Sequence, residues 1–429
     1  MPAVNYQLMY QEMVDKVGGR FNQILYWSRL LDWKNQTLTP NPDVIYVMPF
    51  FDTAGVGPMV LEIPPADDGL FNGSIMNYWH AAIEDIGPGG LDKGAGAKYL
   101  FLPPDYQDPV PEEFIPMPSD TYKGYALIRS VLRSGSEEDV DRAVKYAERV
   151  RLYPLSDAGN SPQTTFVDAA DVVFDSTIRY DSSFFDSLNE LVQTEPWLER
   201  DKVMIDVLKT IGIERGRPFN PDATARAILD DAMRETHAVV DAAYGSLPPY
   251  YGSGGWFFPI TEEMYQNVTT RWHTPDSFPI DARGTAYSLA FFSGMHVGEN
   301  QYYLLCGTDR DGDVLDGSAH YRLHVPSGVP VTQYWSTTVY DRDTHAFIRN
   351  ASRVGRSSQT PELQREADGS TYIYFGPTEP TGAETNWIPT NPNGRFEVLA
   401  RFYGPKAPLF DKTWRLPDLE RDATLPKRT

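Results

Sequence analysis

Hydrophobic positions along the chain fall into three textures. Over residues 5–32, Leu8, Met9, Met13, Val17, Phe21, Ile24, Leu25 and Trp27 recur at steps of three and four, which predicts one or two amphipathic helices. The string Thr39-Pro40-Asn41-Pro42 stops any helix. Beyond it the texture becomes β. Residues 44–48, 59–63, 74–84, 98–102 and 122–132 read as strands, divided by turn clusters such as Gly87-Pro88-Gly89-Gly90 and Pro103-Pro104-Asp105. Strands at this spacing predict a β-sandwich. Helix returns at Ser136, a capping residue followed by Glu137, Glu138 and Asp139, with Val140, Val144, Ala147 and Val150 as the apolar stripe. Residues 184–211 and 221–244 continue the helical texture, with Asn220 as the expected cap and Pro221 at the first helical position. The stretch from Tyr250 to Trp272 is rich in aromatics and glycine and has no period. From Tyr302 the chain is β again, with strands expected at 302–306, 321–325, 372–375 and 396–402. The fold class is thus mainly β with a helical middle. The expected divisions are a helical lead at 1–35, a β-sandwich at 36–155, a helical segment at 156–275 and a second β domain at 276–429.

Composition narrows the function. The net charge is −21 and the pI about 4.7, which disfavours nucleic acid and anionic membrane surfaces as partners, since both demand a dense basic face. No apolar run approaches the ~18 residues of a membrane span. The single Cys306 excludes an intrachain disulfide and a cysteine-cluster metal site. Aromatics make up 13% of the chain, a share that suits β-sandwich cores better than exposed stacking platforms. Met1 is followed by Pro2-Ala3-Val4-Asn5, which has neither the basic region nor the apolar core of an export leader.

Signatures of P-loop, Rossmann, zincin, α/β-hydrolase and Cys-x-x-Cys chemistry are absent. The Asp-rich string Asp309-Arg310-Asp311-Gly312-Asp313 fails the EF-hand pattern, with Val314 where Gly is required and His320 where a bidentate Glu is required. It reads instead as a hairpin turn between the strands at 302–307 and 321–325. His320 and His324 would lie about 13 Å apart on a strand, too far to chelate one ion. Trp79 and His80 would face opposite sides of an extended segment. Glu84 and Asp85 would likewise face apart. Asp43 sits at a rigid loop-to-strand corner, Asn41-Pro42-Asp43, suited to holding polar groups in place.

Longer strings carry a resemblance. Thr39-Pro40-Asn41-Pro42-Asp43-Val44-Ile45-Tyr46, Gly57-Pro58-Met59-Val60-Leu61-Glu62-Ile63-Pro64-Pro65 and Arg151-Leu152-Tyr153-Pro154-Leu155 mark the first half. Tyr321-Arg322-Leu323-His324, Trp335-Ser336-Thr337-Thr338-Val339-Tyr340-Asp341, Asn386-Trp387-Ile388 and Arg401-Phe402-Tyr403-Gly404-Pro405 mark the second. Taken together, the chain resembles a bacterial, fungal and viral family of two tandem domains of unknown function, numbered 1254 and 1214. The resemblance implies an N-terminal immunoglobulin-like sandwich, a helical middle and a C-terminal jelly roll. It implies no transferable activity. Relatives are often exported, so the compartment stays open.

The expected function is a hydrolase acting on a small or oligomeric polar substrate in a cleft between the domains, where ligand sites concentrate. Asp43 or His324 is the expected general base and Tyr46 or Tyr340 the proton donor. Asn41, Trp79, His80, Tyr321, Trp335, Asn386 and Trp387 are the expected ligand-binding groups, the tryptophans as a stacking wall. The alternative is a non-catalytic glycan binder or assembly subunit. No cofactor or metal is expected. The expected partners are a small-molecule or glycan ligand and further copies of the chain in a homo-oligomer.

Overall fold

A computed structural model describes residues 1–290, 294–296, 298 and 300–422. The protein is mainly β. The first β domain has two layers. One is a six-stranded sheet in the order Phe166–Asp168, Gln23–Tyr26, Val44–Asp52, Lys123–Val131, Phe71–Asn77, Ala82–Ile86. The other is four-stranded: Arg151–Pro154, Met59–Ile63, Ala97–Leu102, Ile115–Pro118. Strand alternation sends Ile45, Val47, Ala126 and Ile128 to one face of the larger sheet, where they meet Met59, Leu61, Tyr99 and Phe101 of the smaller one. Each of the larger aliphatic or aromatic side chains among them contributes about 1.5–3 kcal/mol by leaving water.

The second β domain is also two-layered. Trp256–Phe257, Gln301–Cys306, Phe396–Tyr403, Trp335–Asp341 and Gly355–Ser357 form one sheet. Trp387–Pro389, Thr371–Gly376, Tyr321–Val325 and Glu420–Arg421 form the other. Leu304, Val398 and Phe402 of the first pack with Leu323, Ile373 and Phe375 of the second. Helices Ser183–Thr194, Lys202–Val207 and Ala223–Tyr244 lie between the two domains in sequence. Among the described residues no helix is long and apolar enough to cross a membrane.

Local chemistry accounts for where the elements differ from the sequence reading. The first helix runs only over Pro2–Val17. Gly18, at φ 66° in the left-handed region, caps it and turns the chain. The apolar residues that follow then serve the strand Gln23–Tyr26, which joins the large sheet beside Val44–Asp52. The region from Ser74 to Glu84 is a hairpin in two strands rather than one, broken by Tyr78 to Ala81 with a bulge at Ile75/Met76. Helix Glu137–Ala147 is capped by Ser136 as expected, its hydroxyl accepting from the Asp139 N–H. Helix Ala223–Tyr244 is capped by Asp222, which accepts from the Ala225 N–H, rather than by Asn220. Pro221 therefore lies just outside the helix. The Asp309 turn closes a local antiparallel bridge between Thr308 and Val314 but does not join the strands at 302–307 and 321–325 as a hairpin, because these belong to different sheets. Its carboxylate accepts from the N–H groups of Asp311 and Asp313, both at 3.0 Å. Among the described residues no three His, Cys, Asp or Glu side chains converge as a metal would require.

Candidate functional site

The second face of the six-stranded sheet makes the site. Register sets it: Tyr46 pairs with Arg129, Leu127 with Ser74, and Ser74 with Asp85. Residues two apart on a strand share a face, so Tyr46 and Met48, Leu127 and Arg129, and Ser74 and Asp85 form one surface. That surface meets the second domain at the corner Thr39-Pro40-Asn41. Between them lies a cavity that opens to solvent. Its walls also include Trp27, Phe258, His296, Tyr302, Tyr303 and Arg401.

The corner is pinned from both sides. The Asn41 side-chain amide donates to the hydroxyls of Tyr334 (3.0 Å) and Tyr403 (2.8 Å), and its oxygen accepts from the Asp43 N–H (3.0 Å). Arg401, 1% exposed, donates to the carbonyls of Thr39 (2.9 Å) and Pro40 (3.1 Å), to the Thr338 hydroxyl (2.8 Å) and to the Tyr340 hydroxyl (2.5 Å). Tyr340 in turn donates to Pro40 at 2.5 Å, and burial pushes its phenol pKa up. Desolvation likewise raises the Asp43 carboxyl, opposed by the hydroxyls of Ser336 and Ser357 and by the charges of Arg401 and Arg356.

Three groups give the cavity chemical capacity. Tyr46 accepts at its hydroxyl from the Asn41 N–H (3.0 Å) and from Arg129 Nε (3.4 Å). A phenol oxygen has two acceptor positions, so its own proton is left to donate. Arg129 stacks its guanidinium 5.4 Å from the Tyr46 ring centre, and among the described residues its two terminal nitrogens make no hydrogen bond. Asp85, buried, accepts at one oxygen from Ser74 (2.7 Å). Its other oxygen accepts from the N–H groups of Met295 (2.9 Å) and His296 (2.8 Å) and from the His296 ring at Nδ1 (3.1 Å). With Nδ1 donating to the carboxylate, Nε2 of His296 keeps its lone pair.

The expected site residues separate into two groups. Asn41, Asp43, Tyr46 and Tyr340 come together at the corner, and Asn41 and Tyr46 line the cavity. The others are not brought to it. Trp79 is buried 5.0 Å beneath Arg283. His80 accepts or donates at Nδ1 with the Tyr125 hydroxyl at 3.1 Å, and burial drives its pKa well below the usual 6.5. Tyr321 accepts from the Asp316 N–H at 3.0 Å. His324 lies against Tyr372, ring centres 4.9 Å apart. Trp335 belongs to the core of the second domain. Asn386 uses its amide on the Gln364 and Tyr372 carbonyls and the Thr371 hydroxyl, and Trp387 donates to the Gly376 carbonyl. Sequence reasoning missed Arg129, Asp85, His296 and Arg401. The signal for three of them was a charge inside a run of buried strand residues, a placement that demands a partner or a function.

Residues 21–154 match the family described as "Protein of unknown function (DUF1254)", and residues 300–407 match "Protein of unknown function (DUF1214)". The chain is a tandem DUF1254–DUF1214 protein. In this DUF1254–DUF1214 protein the first domain supplies Asn41, Tyr46, Ser74, Asp85 and Arg129, and the second supplies Tyr303 and Arg401. The fold is similar to the crystal structure of the VPA0106 protein from Vibrio parahaemolyticus, at 18% identity and a TM-score of 0.58, over 98% of this chain and 97% of that one. That likeness concerns fold alone. An uncharacterised protein from Burkholderia cenocepacia is similar at 11% identity and a TM-score of 0.43, over 98% of this chain and 87% of that one. No curated protein matches.

Proposed function

We propose that the cavity is the active site of a hydrolase-type enzyme acting on a small molecule, with His296 as general base. The observation that carries this reading is the Asp85–His296 pair on the wall of a cavity that also holds the free hydroxyl proton of Tyr46. A carboxylate on Nδ1 fixes the imidazole tautomer and supports the imidazolium that forms when Nε2 takes a proton. In the proposed step, Nε2 takes a proton from water as the water oxygen bonds to the acyl carbon. Tyr46 donates a hydrogen bond to the carbonyl oxygen as it gains charge. The bond to the leaving group then breaks, and the imidazolium returns its proton to that group.

These roles replace the expectation that Asp43 or His324 is the base, and Tyr46 passes from expected proton donor to hydrogen-bond donor. The two-layer form of each β domain supports reading them as immunoglobulin-like and jelly-roll sandwiches. The test is turnover of a panel of small chromogenic esters and anilides by the wild type, His296→Gln, Asp85→Asn and Tyr46→Phe. A positioned general base contributes about 10²–10⁴ in rate, so His296→Gln should lose at least a hundredfold in kcat. Equal turnover by His296→Gln overturns the assignment. Ligand binding with no turnover of any compound supports the non-catalytic alternative.

A further inference from the structure

Resting on that reading of the cavity, we infer that its ligand is a small organic monoanion: a carboxylate head held by Arg129, with an apolar or aromatic body. Charge is the first argument. The lining holds two guanidinium groups, Arg129 and Arg401, and one carboxylate, Asp85; the charge of Arg401 acts on Asp43 outside the lining, so Arg129 is the guanidinium without a carboxylate of its own. Among the described residues the hydrogen bonds of both arginines go to neutral oxygens and neither forms an ion pair. Asp85 spends its hydrogen bonds on Ser74, Met295 and His296 and, among the described residues, forms no ion pair with either arginine. A half-buried guanidinium without a carboxylate partner offers a ligand's negative charge a seat partly shielded from water.

Geometry separates the two arginines. Arg401 is engaged by Thr39, Pro40, Thr338 and Tyr340, and its role is to hold the corner. Arg129 is oriented by Tyr46 through Nε alone, which leaves the planar pair of terminal nitrogens that matches a carboxylate with two parallel bonds. The rest of the lining fixes the other end of the ligand. Met9, Trp27, Leu31, Met48, Leu127 and Phe258 offer apolar or aromatic surface. The net charge of the whole protein, −21, repels polyanions, so a nucleotide or polyphosphate is disfavoured and a single charge recognised at short range is favoured.

Titration calorimetry of the full chain with phenylacetate, octanoate, phenylacetamide and phenyl phosphate tests this. Phenylacetate or octanoate should bind, phenylacetamide should bind at least about tenfold more weakly, and Arg129→Gln should lose about tenfold or more in affinity for the acid. Arg129→Lys, which keeps the charge but not the fork, should fall between, and near-ultraviolet circular dichroism checks that both variants fold. His296→Gln is read for turnover, and Arg129→Gln for acid binding. That separates the two readings: loss of turnover in His296→Gln speaks to catalysis, loss of acid binding in Arg129→Gln to ligand class. Equal affinity for acid and amide, tighter binding of phenyl phosphate, no binding of either acid at millimolar concentration, or an unchanged Arg129→Gln would overturn the inference.

Discussion

Replacing Arg401 with Met tests the clamp between the domains. Arg401 donates four hydrogen bonds while almost fully buried. Two of the acceptors retain each other when it is removed, since Tyr340 still donates to the Pro40 carbonyl. The Thr39 carbonyl and the Thr338 hydroxyl lose their charged donor. A hydrogen bond to a charged group is worth about 1.5–3 kcal/mol net. Two such bonds give a ceiling near 6 kcal/mol, and the apolar stem of Met keeps most of the packing. The expected cost is about 3 kcal/mol.

The assay must suit that size. Unfolding entropy is about 2.1 cal/mol/K per residue, so if all 429 residues melt together, a loss of ~3 kcal/mol lowers Tm by only ~3 °C. If a domain of roughly 150 residues melts separately, the same loss lowers its Tm by ~10 °C. Urea unfolding followed by tryptophan fluorescence reads the free energy directly, and calorimetry shows which melting unit moves. Arg401→Lys should lie between wild type and Arg401→Met, because one ammonium cannot reach all four acceptors. A loss below about 1 kcal/mol in Arg401→Met would refute the claim that these bonds hold the corner.

Two further predictions concern stability. Glu195 is buried, and desolvation, opposed by Lys123 and the Tyr122 N–H, pushes its pKa from 4.5 up to about 7. The folded state then binds the extra proton between those values, so this group lowers stability as pH rises from 4.5 to 7 and changes nothing beyond. Glu195→Gln should flatten that fall in urea titrations at pH 5 and pH 8, and an unchanged slope would exclude Glu195 as its source. Gly87→Ala should be severely destabilising, because Gly87 has φ 94° and a Cβ there would collide with the Phe71 carbonyl. Gly57→Ala, at φ 76° with open space around it, should cost only about 1 kcal/mol, and thermal melts showing equal losses for the two would contradict the steric argument.

The β–α–β order was legible because period is a local property. Strands at 59–63 and 321–325 and the Ser136-capped helix needed only neighbouring residues to be recognised. The errors lie where local pattern is ambiguous. Ile24 and Leu25 suit a helix stripe and a two-sided buried strand equally, and the arbiter is Gly18, whose left-handed φ ends the helix. The Asp309 turn was recognisable as a turn, but that its flanking strands belong to different sheets depends on pairing partners far along the chain. The Asn41-Pro42-Asp43 corner stood out by its rigidity, and Tyr46 by its place in the same string. Nothing in local sequence sets Arg129 beside Tyr46 or Ser74 beside Asp85, since only strand register does so.

The groups that join the two domains are also the groups that shape the cavity. Asn41 ties the corner to Tyr334 and Tyr403 by its side chain and positions the Tyr46 hydroxyl by its backbone N–H. Arg401 holds Thr39 and Pro40, which line the same cavity. Docking and site formation are therefore one event. Loosening the corner must displace Tyr46, and with it the Nε contact that orients Arg129. Arg401→Met should then weaken acid binding together with stability. Arg129→Gln, which among the described residues loses one long hydrogen bond to the Tyr46 hydroxyl and a stacking contact with its ring, should weaken binding while leaving stability nearly unchanged. Only a cavity built from the interface itself separates the two variants in that way. A pocket belonging to one domain alone would leave acid binding intact in Arg401→Met.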